Sequence, residues 1–413
     1  MPREPQRILV VAPHPDDEAL GAGGTMAKAH DLGFEVWVVL LTSGDGFIQD
    51  AARYYLSLDV SPDEYLHMGY ERQLETQRAL AEVGVPKERI YFLGFPDGGL
   101  DALWLTHWSG EPWNSATTGK NAVPYLTAHR PNVPYVGSAL VSLLMDIYET
   151  VRPTQLILPS AFDTHPDHWG TNAFGTLAWA EMAHREAAGG KVPRWGYLVH
   201  WPAWPLPLAY RPTMPQEAPE RLLKLGEEPW HSEALNPEHV EQKRLALMQY
   251  ESQVELIKPY MLAFSRRTEM FAVESDWRGG PAANGLEVAN PSADWLSRSV
   301  GKSNPLESAA WGRRDGRDWC RVTMARRWGP EWSLEVSLHL IDGSGRQYHW
   351  MVQGQEPTPP AVSLRTEGRN VEMSWPAEWI GGTARVMAGV QARLRGRVEG
   401  KIPFRIIPWG DLM

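Results

Sequence analysis

The sequence predicts an α/β protein: a Rossmann-like, mostly parallel sheet flanked by helices, followed by an all-β sandwich. Three observations carry that reading. Short apolar runs rich in β-formers alternate with helical patterns over the first two thirds of the chain, polar clusters stand directly after those runs, and near Trp332 the helical period gives way to strict alternation.

Residues 8–11, Ile-Leu-Val-Val, read as a strand buried on both faces, and Ala19 to Leu32 read as the helix that follows. Residues 35–41 form the second strand, ending in Thr42-Ser-Gly-Asp-Gly46 at the level of His14. Residues 47–68 read as a lid or insertion, helical at 51–58 and broken at Ser61-Pro-Asp. Leu74, Ala79, Leu80 and Val83 recur at helical spacing over residues 69–83, and Gly84 stops that helix. Residues 89–94 are the third strand and 95–100 its terminal loop, whereas the Trp- and Pro-rich stretch 101–137 reads as a long loop. A helix at 138–150 and a fourth strand at 154–158 lead to His165-Pro-Asp-His168, after which a helix is expected from about Trp169 to about His184. A strand at 195–201 and a single helix at 237–257 complete the first part.

Residues 275–310 turn rich in Gly, Asn, Ser and Pro, which divides the chain into a domain at 1–275, a linker at 276–300 and a β-sandwich at 301–413. Trp332, Leu334, Val336, Leu338 and Leu340 alternate with Ser333, Glu335, Ser337 and His339, and further strands are expected at 318–325, 347–352, 362–365, 371–375, 383–394 and 404–409.

A chain of 413 residues, 43% hydrophobic, is long enough for two cores. Its single cysteine, Cys320, excludes an intramolecular disulfide and a cysteine-built metal cage, so chemistry rests on histidines and carboxylates. Residues 277–413 hold 18 Lys+Arg against 14 Asp+Glu and the rest of the chain 22 against 36, an acidic main body that argues against nucleic acid as a partner. No apolar run reaches the roughly 18 residues of a membrane span, and the N-terminus enters the first strand without a signal-peptide core, so a soluble, cytoplasmic protein is expected. An oligomer is compatible with the sequence.

The chemistry gathers at two strand ends. His14, Asp16 and Asp17 stand on a turn stiffened by Pro13 and Pro15, and His165 and His168 stand after the fourth strand; such ends converge on one crevice in a doubly wound sheet. A catalytic zinc takes three N or O ligands and leaves one position open, which His14, Asp17 and His168 satisfy. Zn²⁺ suits this set, and Fe²⁺ would also accept two histidines and one carboxylate. Such a centre hydrolyses an amide or an ester. Asp16 is the nearest uncommitted carboxylate for the base; His165 would stabilise the oxyanion or protonate a leaving amine, with Asp167 placed to orient it. Gly21-Ala-Gly-Gly24 is not a dinucleotide fingerprint, because Met26 falls on the last glycine position.

At Pro13-His-Pro-Asp-Asp-Glu18 and His165-Pro-Asp-His168 the sequence resembles the PIG-L/LmbE-like family of zinc-dependent N-acetylglucosamine deacetylases. The resemblance covers residues 5–265 and includes Arg72-Gln-Leu-Glu75, Phe95-Pro-Asp-Gly98 and residues 243–253. It implies His14, Asp17 and His168 as ligands, Asp16 as base, His165 as electrostatic catalyst, and Arg72 and Asp97 as sugar contacts. The implied substrate is a small amino sugar or glycoconjugate that loses an N-acetyl group. An amidase acting on a thiol-sugar conjugate and a non-catalytic sugar-binding protein are the alternatives. Some thiol-sugar members carry a Tyr two residues before His165, where Asp163 stands here. The Trp-rich C-terminal strands are similar to carbohydrate-binding sandwich modules.

Overall fold

In the computed structural model, residues 6–47, 59–185, 192–225, 228–276, 281–282, 285–289, 305–353, 356–358, 361–395 and 397–412 are described. They divide into two compact units, one running essentially to Glu274 and the other essentially from Ser275 onward, with 184–185 and 220–225 grouped in the second. The expected helix at 51–58 lies outside the described residues.

The first unit is built on a seven-stranded sheet. Its strands are β1 (Arg7–Ala12), β2 (Glu35–Thr42), β3 (Ile90–Phe95), β4 (Gln155–Pro159), β5 (Arg194–Tyr197), β6 (Trp230–Ala234) and β7 (Thr268–Glu274), in the order β3-β2-β1-β4-β5-β7-β6. The pairings from β3 through β5 are parallel, and β7 runs antiparallel to β5 and β6, so the sheet is mostly parallel as expected. Ile8, Val10 and Ala12 pack on one face with α1 (Asp17–Asp31), α2 (Pro62–Glu82) and α7 (Pro237–Met248). On the other face Leu158 meets Gly175 of α5 (Pro166–Arg185), whose carbonyl accepts from Tyr148 of α4 (Gly137–Val151). Helices on both faces explain why the core strands read as continuous apolar runs.

Four expected elements differ. Ser61-Pro-Asp starts α2 instead of breaking it: Ser61 and Glu64 form a capping box and Pro62 takes the first turn, where its missing N–H costs nothing. A short helix α3 (Leu100–Leu105) opens the stretch expected as a loop. The helix α5 begins at Pro166, so His168 lies in its first turn and not before it. The single helix expected at 237–257 is two, α7 and α8 (Glu251–Leu262), separated at Gln249–Tyr250, with α6 (Glu220–Leu225) preceding them.

The glycines of α1 serve packing. A Cβ on Gly21 would enter the Tyr197 ring at 2.3 Å, and one on Gly24 would meet Leu235 at 2.2 Å. The same helix is tied to β7 and α7 by a buried ion pair, Lys243 Nζ to Glu269 Oε1 at 2.6 Å. Lys243 also donates to Leu20 O, while Glu269 accepts from Gly24 N, Thr25 N and Thr25 Oγ1. Removing either partner would strand a charge in the core, at a cost of about 3–5 kcal/mol.

The second unit has two antiparallel sheets. One has the order β15-β16-β11-β10-β9-β8, from β15 (Ser363–Glu367), β16 (Asn370–Pro376), β11 (Arg317–Met324), β10 (Leu306–Arg314), β9 (Gly285–Ala289) and β8 (Pro281–Ala282). The other has the order β14-β13-β12-β17-β18, from β14 (Glu356–Thr358), β13 (Gln347–Gln353), β12 (Trp332–Leu340), β17 (Val386–Leu394) and β18 (Arg397–Ile407). Trp311, Trp332, Trp350, Trp375 and Trp409 are buried in one core cluster with the alternating aliphatics, so these tryptophans build the core. β8 and β9 fall within the stretch expected as a linker, and β10 was not anticipated. All nine residues of β12 are buried, the alternating Ser333, Glu335, Ser337 and His339 included, with Glu335 held by Arg393 at 2.7 Å.

Candidate metal centre

The strand order reverses between β1 and β4, and the two histidine clusters follow those two strands. That reversal opens a crevice at the carboxyl ends of the strands. A cleft of about 370 Å³ occupies it, lined by His14, Asp16, Asp17, Arg72, Asp97, His165 and His200, with Leu20, Phe47, Gln253, Ile257 and Tyr260 among the other walls.

The turn after β1 is held from several sides. Pro13 O accepts from Thr42 N and Thr42 Oγ1, both at 2.9 Å, and Pro15 O accepts from Arg72 Nη2 at 2.7 Å. Asp16 sits at φ 115°, which a non-glycine residue adopts only when its surroundings force it, at a cost of about 1–3 kcal/mol. Its N–H donates to Glu18 Oε2 at 3.2 Å, and Glu18 in turn accepts from the Tyr250 hydroxyl. Glu18 is fully buried behind the turn, and burial pushes its carboxyl up to about 7. The break between α7 and α8 falls at Tyr250, the residue that reaches Glu18.

Asp17 joins the two clusters. Its Oδ2 lies 2.9 Å from His14 Nδ1 and 3.1 Å from His168 Nε2. Neighbouring donors on a tetrahedral zinc with bonds of about 2.05 Å are about 3.3 Å apart, so each of these two separations is one that a shared ion could bridge. His168 is fully buried, and neither of its ring nitrogens is in line for a hydrogen bond to the carboxylate beside it, Asp17 at Nε2 and Asp163 at Nδ1. Asp163 Oδ2 stands 3.2 Å from His168 Nδ1, favouring a proton there and leaving Nε2 to coordinate.

The electrostatics agree. Burial alone would push His168 down, but Asp163 and Asp17 outweigh it and hold the imidazole up at about 9. His14 is likewise raised against its burial by Asp97, Asp167 and Asp17, and Asp17 is held below the usual carboxylate range by His168 and His14. The cluster thus demands positive charge, which a divalent ion supplies while displacing protons. Among the described residues, the groups whose donor atoms all lie within 4.8 Å of one another are His14–His165–His168, Asp17–His168–His200 and His14–Asp97–Asp167, so Asp17 and His168 share one group and His14 and His168 another.

Asp16 has a different environment. Burial and then Asp17 push its carboxyl well above the ordinary range, opposed by Arg72, whose Nη2 lies 3.5 Å away. His165 Nδ1 accepts the Asp167 backbone N–H at 3.2 Å, which leaves its proton on Nε2. Burial first, then the neighbouring His14 and His168, pull this imidazole down to about 4, so it is neutral.

Three of the expected residues have other close partners in the structure. Asp167 does not orient His165 with its carboxylate: Oδ2 faces His14 Nε2 at 3.0 Å and Gly98 N at 2.6 Å, and Oδ1 accepts from Leu100 N, because the first turn of α5 directs it toward the loop after β3. Arg72, expected at the sugar, is buried with its terminal nitrogens on Gly44 O and Pro15 O. Asp97 lines the cleft, yet its oxygens already face His14 Nε2 at 3.3 Å and Gly46 N at 2.8 Å.

Sequence reasoning passed over His200 as a functional residue and read Asp163 only as a substitution. Asp163 accepts from Val199 N, His200 N and His165 N, joining the ends of β4 and β5. The usable signal was position, since both residues follow core strands.

These features define a Rossmann-like scaffold with a histidine–carboxylate centre at its topological switch point. Residues 9–179 match the PIG-L family, described as GlcNAc-PI de-N-acetylase. The chain is 28% identical over 242 residues to the 1D-myo-inositol 2-acetamido-2-deoxy-alpha-D-glucopyranoside deacetylase of Kineococcus radiotolerans, covering 54% of this chain and 58% of the relative. It is 30% identical to the protein of the same description from Streptomyces avermitilis, covering 49% of this chain and 63% of the relative. The chain thus spans only 58% and 63% of the length of these two curated relatives. Among solved structures, N,N'-diacetylchitobiose deacetylase from Pyrococcus horikoshii is 17% identical with a TM-score of 0.38, covering 66% of this chain and 85% of that one. No described helix is long and apolar enough to cross a membrane.

Proposed function

We propose that this protein is a metal-dependent hydrolase that removes an N-acyl group, N-acetyl in the first instance, from a glucosamine-type sugar or its conjugate. The observation that carries the reading is the Asp16 carboxyl in the cleft, 3.5 Å from Arg72 Nη2, beside Asp17, whose Oδ2 faces both His14 and His168. Those three residues would hold the ion, Zn²⁺ or Fe²⁺. When bound, the ion acidifies water and polarises a carbonyl.

The remaining work falls to the chain. Asp16 takes a proton from the attacking water as its oxygen joins the acyl carbon, and returns that proton to the amine nitrogen as the C–N bond breaks. Its raised pKa suits both halves of this cycle. Neutral His165 donates its Nε2–H to the acyl oxygen as charge develops there. Arg72 favours the anionic form of Asp16, and Asp97 and Asp167 fix the His14 ring. In this reading residues 1–275 perform the chemistry and the β-sandwich at 301–413 is an accessory domain.

The relatives' names support a 2-acetamido-sugar substrate. The test is acetate release from a panel in which the 2-acetamido sugar is retained while the aglycone varies, set beside N-acetyl amino acids. Turnover of the sugars alone is expected; turnover of the amino acids alone would reject the substrate class.

A further inference from the structure

We propose that His200 is an exchangeable additional ligand of the metal centre, an inference that rests on the metal reading above. His200 stands outside both histidine motifs and beyond the residues matched by the family. It follows β5, the neighbour of β4, and so enters the cleft from the strand beside the one that delivers His168.

One ring nitrogen of His200, one of His168 and a carboxylate oxygen of Asp17 all lie within 4.8 Å of one another. The two imidazoles stand 4.6 Å apart at 80°, edge to face. The backbone of His200 is pinned: its N–H donates to Asp163 Oδ2 at 2.9 Å, and its carbonyl accepts from Thr164 N at 3.0 Å and Thr164 Oγ1 at 2.7 Å. Asp163 is also the carboxylate against His168 Nδ1, so a single anchor sets both imidazoles.

The ring itself is differently placed. Tyr260 stacks loosely on it, with centroids 6.5 Å apart, while Tyr260 Oη donates to Val199 O. Among the described residues no hydrogen bond engages the His200 ring nitrogens. An imidazole fixed at its backbone and unengaged at its nitrogens, beside two ligand residues, is a ready donor. His14, Asp17 and His168 would fill three positions of a catalytic centre that keeps another open. His200 competes with water for that position when the cleft is empty, and yields it to an oxygen ligand.

The test uses the full-length, metal-stripped protein titrated with Co²⁺, comparing wild type with His200→Ala and His200→Gln after circular dichroism shows each variant folded. Both variants should bind Co²⁺ about tenfold or more weakly, in the range seen when support around a metal is lost, with an altered visible spectrum. Added acetate should change the wild-type spectrum more than that of either variant. Wild-type affinity and an unchanged spectrum in both variants would overturn the role of His200 and leave the metal centre standing. Failure of the wild type to bind Co²⁺ or Zn²⁺ would instead remove the metal reading, and this inference with it.

Discussion

Replacing Arg72 with methionine should move the acid limb of the pH–rate profile upward. Arg72 and Asp16 are both buried, and their nearest charged atoms are 3.5 Å apart. Even at the dielectric of water, a unit charge at that distance is worth about 1.2 kcal/mol, or about one pH unit; burial raises the figure. The sign follows from the proposed role. A base must be unprotonated, so activity falls as pH drops through the pKa of Asp16, and losing the guanidinium raises that pKa. The limb should therefore rise by about one pH unit or more in kcat/KM. The substitution also leaves Pro15 O and Gly44 O without their donor, at a cost of about 1–3 kcal/mol each, so stability must be followed separately. Arg72→Lys divides the two effects: it keeps the charge but lacks the fork that spans both carbonyls, so stability should fall while the limb stays closer to wild type. Coincident acid limbs in the wild type and a folded Arg72→Met variant would refute the placement of Asp16 as the base in the field of Arg72.

Asp16→Asn should retain metal while turnover falls by roughly 10²-fold or more; near-normal turnover would remove Asp16 from the base role. Asp163→Asn should weaken metal binding by about 10- to 100-fold, because it withdraws the carboxylate beside His168 Nδ1, and unchanged Zn²⁺ affinity by competition titration would contradict that. Residues 1–276 expressed alone should bind metal and release acetate from a small 2-acetamido sugar. The chain must include Glu274, which closes β7 and accepts from Asn172 Nδ2 at 2.9 Å; a folded, metal-loaded but inactive segment would assign the sandwich a part in the site.

The scaffold was legible wherever local pattern and tertiary burial coincide. The runs before His14 and His165 are buried on both faces and read as core strands, so the meeting of their two strand-end clusters at one crevice followed from topology alone. Legibility failed where a long-range partner decides the outcome. β6, Trp-His-Ser-Glu-Ala, is an edge strand with no fully buried residue, and carries neither alternation nor an apolar run. The interruption between α7 and α8 coincides with the reach of Tyr250 to Glu18, a contact 232 residues distant in the chain. Asp167 stands next but one to His165, yet the helical turn points its carboxylate toward His14 and the loop after β3; adjacency in sequence was a poor guide to direction. His200 lacks a motif and is recognisable only once β5 is known to lie beside β4. In β12 the polar alternation correctly marked a strand, but not the burial of Ser337 and His339.

The central claim is that one divalent ion, held by His14, Asp17 and His168, is required for N-acyl hydrolysis. Elemental analysis of purified wild type and His168→Ala, paired with acetate release from the same samples, tests it most directly. One equivalent of metal with activity in the wild type, and loss of both in the variant, is the expected result; full metal occupancy in His168→Ala, or undiminished acetate release from metal-stripped wild type, would contradict it.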